Sequence, residues 1–299
     1  MSRKLLYIVN PISGTGSKQS LQELIRTRTA AAGFEFAIYP SVASGDYSYL
    51  RPVIREEGFT DVVIAGGDGT INQAIAGLRK LPVQFGIIPC GSGNGLAFTA
   101  RIPKKKEKAL DIVFAGKWEL TDGFLINDTF ACMLCGLGLD AQVAHDFAND
   151  PRRGLATYIK KTISGFMSAK TYPFVLTAGG RQIRTNAYFI SIANSNQFGN
   201  HVTIAPKASL NDGLLDIVVM AEQNKMSVLF QALKQITGMH ALQEPGAIDE
   251  RSSLLYFQAS EIGIRNSRLA PLHIDGDPTE TAKEFNIRVM KGCFRLICP

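Results

Sequence analysis

The sequence predicts a doubly wound α/β domain followed by a β-sandwich domain, and three observations predict it. Strand-like and helix-like patterns alternate from residue 1 to about 119. Three of those strands run straight into small polar loops rich in glycine, at Asn10, Gly66 and Gly91. From Trp118 onward the pattern changes to short alternating apolar runs.

In the first domain, Lys4-Leu-Leu-Tyr-Ile-Val reads as a buried strand at 4–9, followed by a helix at about 17–31 and a strand at 35–39. A helix at 46–57, a strand at 61–65, a helix at 70–78, a strand at 84–88 and helices at 94–100 and 106–115 complete the alternation. Gly33 and Gly116 stand where helix C-caps are expected. In the second domain, Phe174–Thr177, Tyr188–Ile192, Leu215–Val219 and Leu254–Phe257 read as strands, with Gly179-Gly180 as a hairpin turn. Helical stretches at about 155–167 and 226–237 interrupt them. In the latter, Val228, Leu229, Ala232, Leu233 and Ile236 form an apolar face that core packing explains.

The loop with most chemistry is Asp61-Val-Val-Ile-Ala-Gly-Gly-Asp-Gly-Thr70. Gly66, Gly67 and Gly69 let the main chain approach a charged ligand so that N–H groups converge on phosphate oxygens. Thr70 opens the helix whose positive end favours the same anion. Two further loops, Asn10-Pro11-Ile-Ser13-Gly14-Thr-Gly and Gly91-Ser92-Gly93-Asn94, have the same strand–loop–helix setting. In an open α/β sheet, ligands collect outside the carboxyl ends of the strands, where all three loops emerge. Neither the G-x-x-x-x-G-K-[ST] frame nor G-x-G-x-x-G is present at these loops, which excludes Walker and dinucleotide fingerprints there.

Asn10-Pro11, Gly66-Gly-Asp-Gly-Thr70 and Gly91-Ser-Gly-Asn94, in this order, resemble the diacylglycerol kinase catalytic-domain family, which includes bacterial diacylglycerol and YegS-like lipid kinases and the sphingosine and ceramide kinases. The resemblance continues through Gly136-Leu-Gly-Leu-Asp-Ala141, Ala205-Pro-Lys-Ala-Ser-Leu-Asn-Asp-Gly-Leu-Leu-Asp216 and Asp275-Gly-Asp277, nearly the whole chain. NAD kinases and phosphofructokinases share the Gly-Gly-Asp-Gly loop, so that loop alone does not choose the acceptor. The resemblance implies the NAD kinase/diacylglycerol kinase-like two-domain fold. It places a nucleotide-binding domain at 1–119, completed by about 284–299, and a lipid-binding β-sandwich at 120–283.

The activity implied is Mg²⁺-dependent transfer of the γ-phosphoryl of ATP to the primary hydroxyl of a diacylglycerol-like or sphingoid lipid. Such transfer needs in-line positioning, charge neutralisation and a group that takes the hydroxyl proton. The resemblance assigns the nucleotide to Asn10, Pro11, Ser13, Gly14, Ser41, Gly66, Gly67, Asp68, Gly69, Thr70, Asn72, Gly91, Ser92, Gly93 and Asn94, with Asp68 toward Mg²⁺. Asp275-Gly-Asp277 follows the strand-like Pro271-Leu-His-Ile274 and supplies two acids suited to a base and an orienting partner, although by itself it reads as a β-turn. The family has glutamate where Asp277 stands, which leaves either acid as the base. Asn211-Asp212-Gly213 reads by itself as a turn, whereas the resemblance to the bacterial members implies a structural Mg²⁺ held by Asp212 with the carbonyls of Ser209 and Leu214, and Asp216 is expected to be structural. Asp140, Asp146, Arg152 and Arg153 lie where the sphingosine kinases place head-group and phosphate contacts, while charges on a surface loop explain the two arginines equally well. Gly95 brings the third loop nearer the sphingosine and ceramide kinase form. The alternatives are a kinase of a soluble alcohol such as NAD, and a catalytically silent nucleotide or lipid sensor.

Composition agrees with two ordinary globular domains: 299 residues, 45% hydrophobic, 19% charged, net charge +6. No apolar run approaches the roughly 18 residues that would span a bilayer, and no signal segment precedes the first strand, so the expected place is the cytoplasm, with peripheral contact at the inner membrane face. Five unpaired-looking cysteines argue against a disulfide framework, and Cys132-x-x-Cys135 reads as core packing. The four histidines show no zinc spacing. Lys104-Lys-Lys-Glu-Lys108 reads as a solvated run that an anionic lipid surface would attract. Basic residues are not interleaved with stacking aromatics, which argues against nucleic acid as a partner. The expected partners are a lipid substrate and, in some assemblies of this type, a second copy of the chain.

Overall fold

In a computed structural model, the structure describes residues 2–10, 18–139, 141, 169–199, 202–223, 242–243 and 252–299. The chain divides into two units, Met1–Thr121 with Gly292–Pro299, and Asp122–Lys291. The elements are β1 (Lys4–Val9), α1 (Lys18–Ala31), β2 (Glu35–Pro40), α2 (Leu50–Glu56), β3 (Asp61–Gly66), α3 (Asp68–Leu78), β4 (Gln84–Pro89), α4 (Gly95–Thr99) and α5 (Lys106–Ala115). Then come β5 (Trp118–Ile126), β6 (Thr129–Ala131), β7 (Leu134–Gly138), β8 (Tyr172–Ala178), β9 (Arg181–Ala193), β10 (Gln197–Gly199), β11 (Val202–Thr203), β12 (Leu215–Ala221) and β13 (Leu254–Ala259). The last are β14 (Glu261–Asn266), β15 (Leu272–Ile274), β16 (Asp277–Thr279) and β17 (Glu284–Ile297). The fold is an N-terminal α/β domain and a C-terminal β-sandwich.

In the first unit β2, β1, β3 and β4 lie side by side and parallel, and the end of β17 adds a parallel strand beside β4. These strands are buried on both faces, which is why they read as continuous apolar runs. Leu5, Tyr7, Val9, Val63, Ala65 and Ile88 form one core with Leu21 and Ile25 of α1 and Leu110 and Val113 of α5. The order 2-1-3-4 switches direction between β1 and β3, and a crevice outside the strand ends at such a switch is where ligands bind. At the opposite end of the strands Arg3 clamps buried Asp61 at 2.6 Å and also donates to the carbonyls of Val113 and Phe114.

Boundaries differ from the sequence expectation where side chains compete for the backbone. The second helix begins at Leu50 instead of residue 46, because Asp46 accepts the Ser48 N–H at 2.8 Å and holds a turn there. The third begins at Asp68 instead of residue 70, with Gly67 in the extended N-cap position. Gly116 caps α5 in the left-handed conformation, φ +67°.

The second unit is antiparallel. The strand β9 is shared, its first half pairing with β8 and its second half lying between β7 and β12. A strand that changes partners in this way makes the corner of a sandwich. The core between the layers holds Cys135 and Leu137 of β7, Ile190 and Ile192 of β9, Ile217 and Val219 of β12, and Ile287 of β17. Gly179 and Gly180, at φ +55° and +76°, make the tight turn that joins β8 to β9. Cys132 and Cys135 are buried, and neither is in a disulfide. The helical stretches expected at 155–167 and 226–237 lie outside the described residues.

Candidate active site

In the first unit Asn10, the Gly66–Gly69 loop and the Gly91–Asn94 loop follow the carboxyl ends of β1, β3 and β4. Asn10 follows β1, and its N–H donates to the Ala65 carbonyl at 2.9 Å while its side-chain amide donates to the Thr70 hydroxyl at 2.8 Å. That second bond bridges the two loops flanking the switch point. Ser41 follows β2, tied to the Val9 carbonyl at 2.9 Å. Asp68 is the first residue of α3, Thr70 is buried one turn in, and Asn72 is half-buried beyond it.

The third loop is held by its own asparagine. Asn94, at φ +57°, accepts the Gly91 N–H and donates to the Gly91 carbonyl, both at 2.8 Å, which closes Gly91-Ser92-Gly93 into a compact ring with Ser92 exposed. The Gly91 backbone then packs against Gly67. A Cβ on Gly91 would lie 2.5 Å from the Gly67 Cα, and one on Gly66 would lie 2.9 Å from the Thr70 Cβ. Glycine is required here by close approach of main chain to main chain. The loops thus present unsubstituted backbone, a helix N-terminus and the oxygens of Asp68 and Thr70 at one sheet end, which suits a phosphate group and a hard cation. Pro11, Ser13 and Gly14 lie outside the described residues.

In the second unit Asp275 and Gly276, at φ +50° and +88°, are the two central residues of the tight turn between β15 and β16. The Asp275 carboxylate is 6% exposed and accepts three main-chain N–H groups: Leu134 at 2.8 Å, Met133 at 3.1 Å and Cys132 at 3.3 Å. Asp277 leaves the turn on β16, with part of its side chain reaching solvent. Neighbouring groups still displace enough water to push its carboxyl above the usual carboxylate range, and His273 pulls in the opposite direction. His273 is 1% exposed, and its Nδ1 accepts the Gly276 N–H at 3.2 Å. Sequence spacing passed over this histidine, whose only signal was its place two residues before Asp275.

The loop of Ser209, Asp212 and Leu214 is organised around a second carboxylate that sequence reasoning missed. Buried Asp122 accepts the Gly213 N–H at 2.7 Å, Asp212 accepts the Leu214 N–H at 3.0 Å, and the Ser209 hydroxyl donates to the Asn211 side-chain oxygen at 3.0 Å. Burial first, and Asp122 beside it, push the Asp212 carboxyl up, while Lys291 opposes them. These donors are oxygens and fit a hard cation, but through carbonyls, since the described residues hold no cluster of three or more acidic, cysteine or histidine side chains. Asp216 is a separate feature, fully buried and held by Tyr256 at 2.6 Å and Gln258 at 2.9 Å. Asp140, Asp146, Arg152 and Arg153 lie outside the described residues. None of the helices among the described residues is long and apolar enough to cross a membrane.

Two family models match the chain in succession, the diacylglycerol kinase catalytic domain over residues 4–125 and the YegS C-terminal NAD kinase beta sandwich-like domain over residues 134–298. A diacylglycerol kinase of Bacillus subtilis is 24% identical over 281 residues, covering 92% of this chain and 90% of that protein. A Salmonella typhimurium protein called probable lipid kinase YegS is 28% identical over 307 aligned positions, covering 98% and 95%. A crystal structure of a diacylglycerol kinase from Bacillus anthracis shares the fold with a TM-score of 0.76 at 20% identity, covering 99% of this chain and 97% of that one. With the catalytic-domain model on its first unit and the YegS-type sandwich model on its second, the chain belongs to the diacylglycerol kinase family and is a phosphotransferase with an alcohol group as acceptor.

Proposed function

We propose that this protein is an ATP- and Mg²⁺-dependent lipid kinase that phosphorylates the primary hydroxyl of a diacylglycerol-like or sphingoid lipid at the cytoplasmic membrane face. The observation that carries the reading is the joining of Asn10, the Gly66–Thr70 loop and the Gly91–Asn94 loop at one sheet end, through the Asn10–Thr70 bond and the Gly67–Gly91 backbone contact. In this reading residues 1–119 with the chain end bind the nucleotide and 120–283 bind the lipid. The names of the relatives, diacylglycerol kinase and probable lipid kinase YegS, support the acceptor class.

The nucleotide phosphates are held by main-chain N–H groups of Gly66–Thr70 and Gly91–Asn94 and by the N-terminus of α3, with Asn10 and Ser41 beside them. Asp68 would hold Mg²⁺, which when bound would supply charge neutralisation on the transferring phosphoryl group. Asp277 orients the acceptor hydroxyl and receives its proton. Its raised pKa brings it nearer the working pH, as a general base requires. Asp275 has both oxygens engaged by N–H donors, which favours the charged form and makes it a poor proton acceptor. It acts as the clamp that fixes the turn. Asp212 with the Ser209 and Leu214 carbonyls would hold a structural Mg²⁺.

A screen with labelled ATP against diacylglycerol, sphingosine, ceramide and NAD tests the reading. Label in a lipid product is expected. Transfer to NAD and to no lipid overturns the acceptor class, and nucleotide binding without transfer to any acceptor favours a sensor.

A further inference from the structure

We propose that His273 is a positioning residue for Asp277, fixing through its Nδ1 the turn from which that carboxylate is presented. The inference rests on Asp277 being the base. The turn consists of only two residues, and one of them, Asp275, holds a left-handed φ of +50° that costs a side-chain-bearing residue about 1–2 kcal/mol. Such a conformation persists only where its surroundings over-determine it.

Two sets of contacts do so from opposite directions. On the Asp275 side, the carboxylate takes the N–H groups of Cys132, Met133 and Leu134, and the Asp275 N–H donates to the Leu134 carbonyl at 2.8 Å. These bonds tie down the first turn residue through its carboxylate and its own N–H. His273 adds the next restraint, since its Nδ1 accepts the N–H of the Asp275–Gly276 peptide, one residue before Asp277. The ring has room because the residue opposite it on β7 is Gly136, while its partner across the hairpin is Pro278. A ring buried to 1% and flanked by a glycine and a proline has little freedom to swing away.

The acceptor role also sets the histidine's protonation. An Nδ1 that accepts an N–H carries no proton, so the imidazole proton resides on Nε2. His273 therefore does for the second turn residue what Asp275 does for the first.

The test separates acceptor geometry from bulk. In His273→Asn the side-chain oxygen falls close to the position of Nδ1 and can accept the same N–H. In His273→Gln the oxygen falls near the Nε2 position and cannot, and His273→Phe keeps the ring but has no acceptor. Activity is measured with short-chain diacylglycerol and with sphingosine in mixed micelles, beside Asp277→Asn and with thermal unfolding of each variant. The expected result is that Phe and Gln lower kcat by about 10²-fold, with the KM for ATP within about twofold of wild type, and that Asn restores most of kcat. Equal impairment by Asn and Gln, or wild-type turnover in the Gln variant while Asp277→Asn is inactive, overturns the inference. Wild-type turnover in Asp277→Asn overturns the base assignment itself. Where the Phe variant fails to fold, the Asn and Gln comparison decides.

Discussion

Substituting Gly91 with alanine adds one carbon, and the structure says where it goes. The new Cβ lies 2.5 Å from the Gly67 Cα, 3.1 Å from the Asn94 side-chain oxygen and 3.5 Å from the Gly67 N. Ordinary contact between carbon atoms begins near 3.5 Å, so the two loops must part by roughly 1 Å. No flexible side chain stands between them to give way. Gly67 is fixed by α3, whose first bond runs from the Ile71 N–H to the Gly67 carbonyl, and Gly91 is fixed by Asn94 on both its N–H and its carbonyl. Overpacking of this kind costs about 1–3 kcal/mol in stability, and a displacement of about 1 Å at a positioning site costs about 10²-fold in rate. Gly91→Ala is therefore expected to lower kcat/KM for ATP by about two orders of magnitude while the protein stays folded. Gly58→Ala is the control: it places alanine at φ +70° with nothing within 4 Å and should cost only the local backbone strain, about 1 kcal/mol. Steady-state kinetics over an ATP series, with unfolding curves for both variants, give the comparison. If Gly91→Ala keeps wild-type kcat/KM for ATP and loses no more stability than Gly58→Ala, the Gly67–Gly91 contact has no part in nucleotide binding and the reasoning fails.

The two turn acids should separate by phenotype. Asp277→Glu is expected to retain substantial turnover, whereas Asp275→Ala strips three buried N–H groups of their acceptor and should lower stability by about 3 kcal/mol or more; an unchanged unfolding midpoint in Asp275→Ala would contradict the clamp. Asp212→Ala should lower the unfolding temperature in Mg²⁺ and weaken the Mg²⁺ dependence of that temperature, and a variant that responds to Mg²⁺ like wild type would remove the structural-metal assignment. Burial pushes the Asp216 carboxyl up to about 6, above its unfolded value of about 3.9. The folded state therefore holds the proton more tightly, and stability falls as pH rises from about 4 to about 6, by roughly 3 kcal/mol once both states are ionised. Asp216→Asn, which keeps an acceptor for Tyr256, should match wild type near pH 4 and exceed it at pH 7.5; a less stable variant at pH 7.5 would refute the sign.

What could be read from the sequence was whatever depends on local order along the chain. The first sheet was legible because parallel strands buried on both faces must be apolar throughout, and Leu5–Val9, Val62–Ala65 and Phe85–Ile88 are. The glycine loops were legible as loops, read as room for a charged ligand near the backbone, whereas the close approach of Gly91 to Gly67 comes only from the fold. Helix starts were less so, since Asp46 and Gly67 decide them through single contacts that composition does not register. The division of labour between Asp275 and Asp277 was beyond sequence altogether. Both are aspartates two positions apart, and only the fold brings residues 132–134 onto one of them across more than 140 positions of chain. The same holds for His273, Asp122 and Asp216, whose partners at Gly276, Gly213 and Tyr256 are set by hairpin and sheet register. A carboxylate's chemistry is fixed by how many donors surround it, and donors arrive by tertiary packing: three N–H groups close on buried Asp275, while Asp277 is exposed on β16 with its carboxyl pushed up by partial desolvation, which is the contrast the proposed clamp and base rest on.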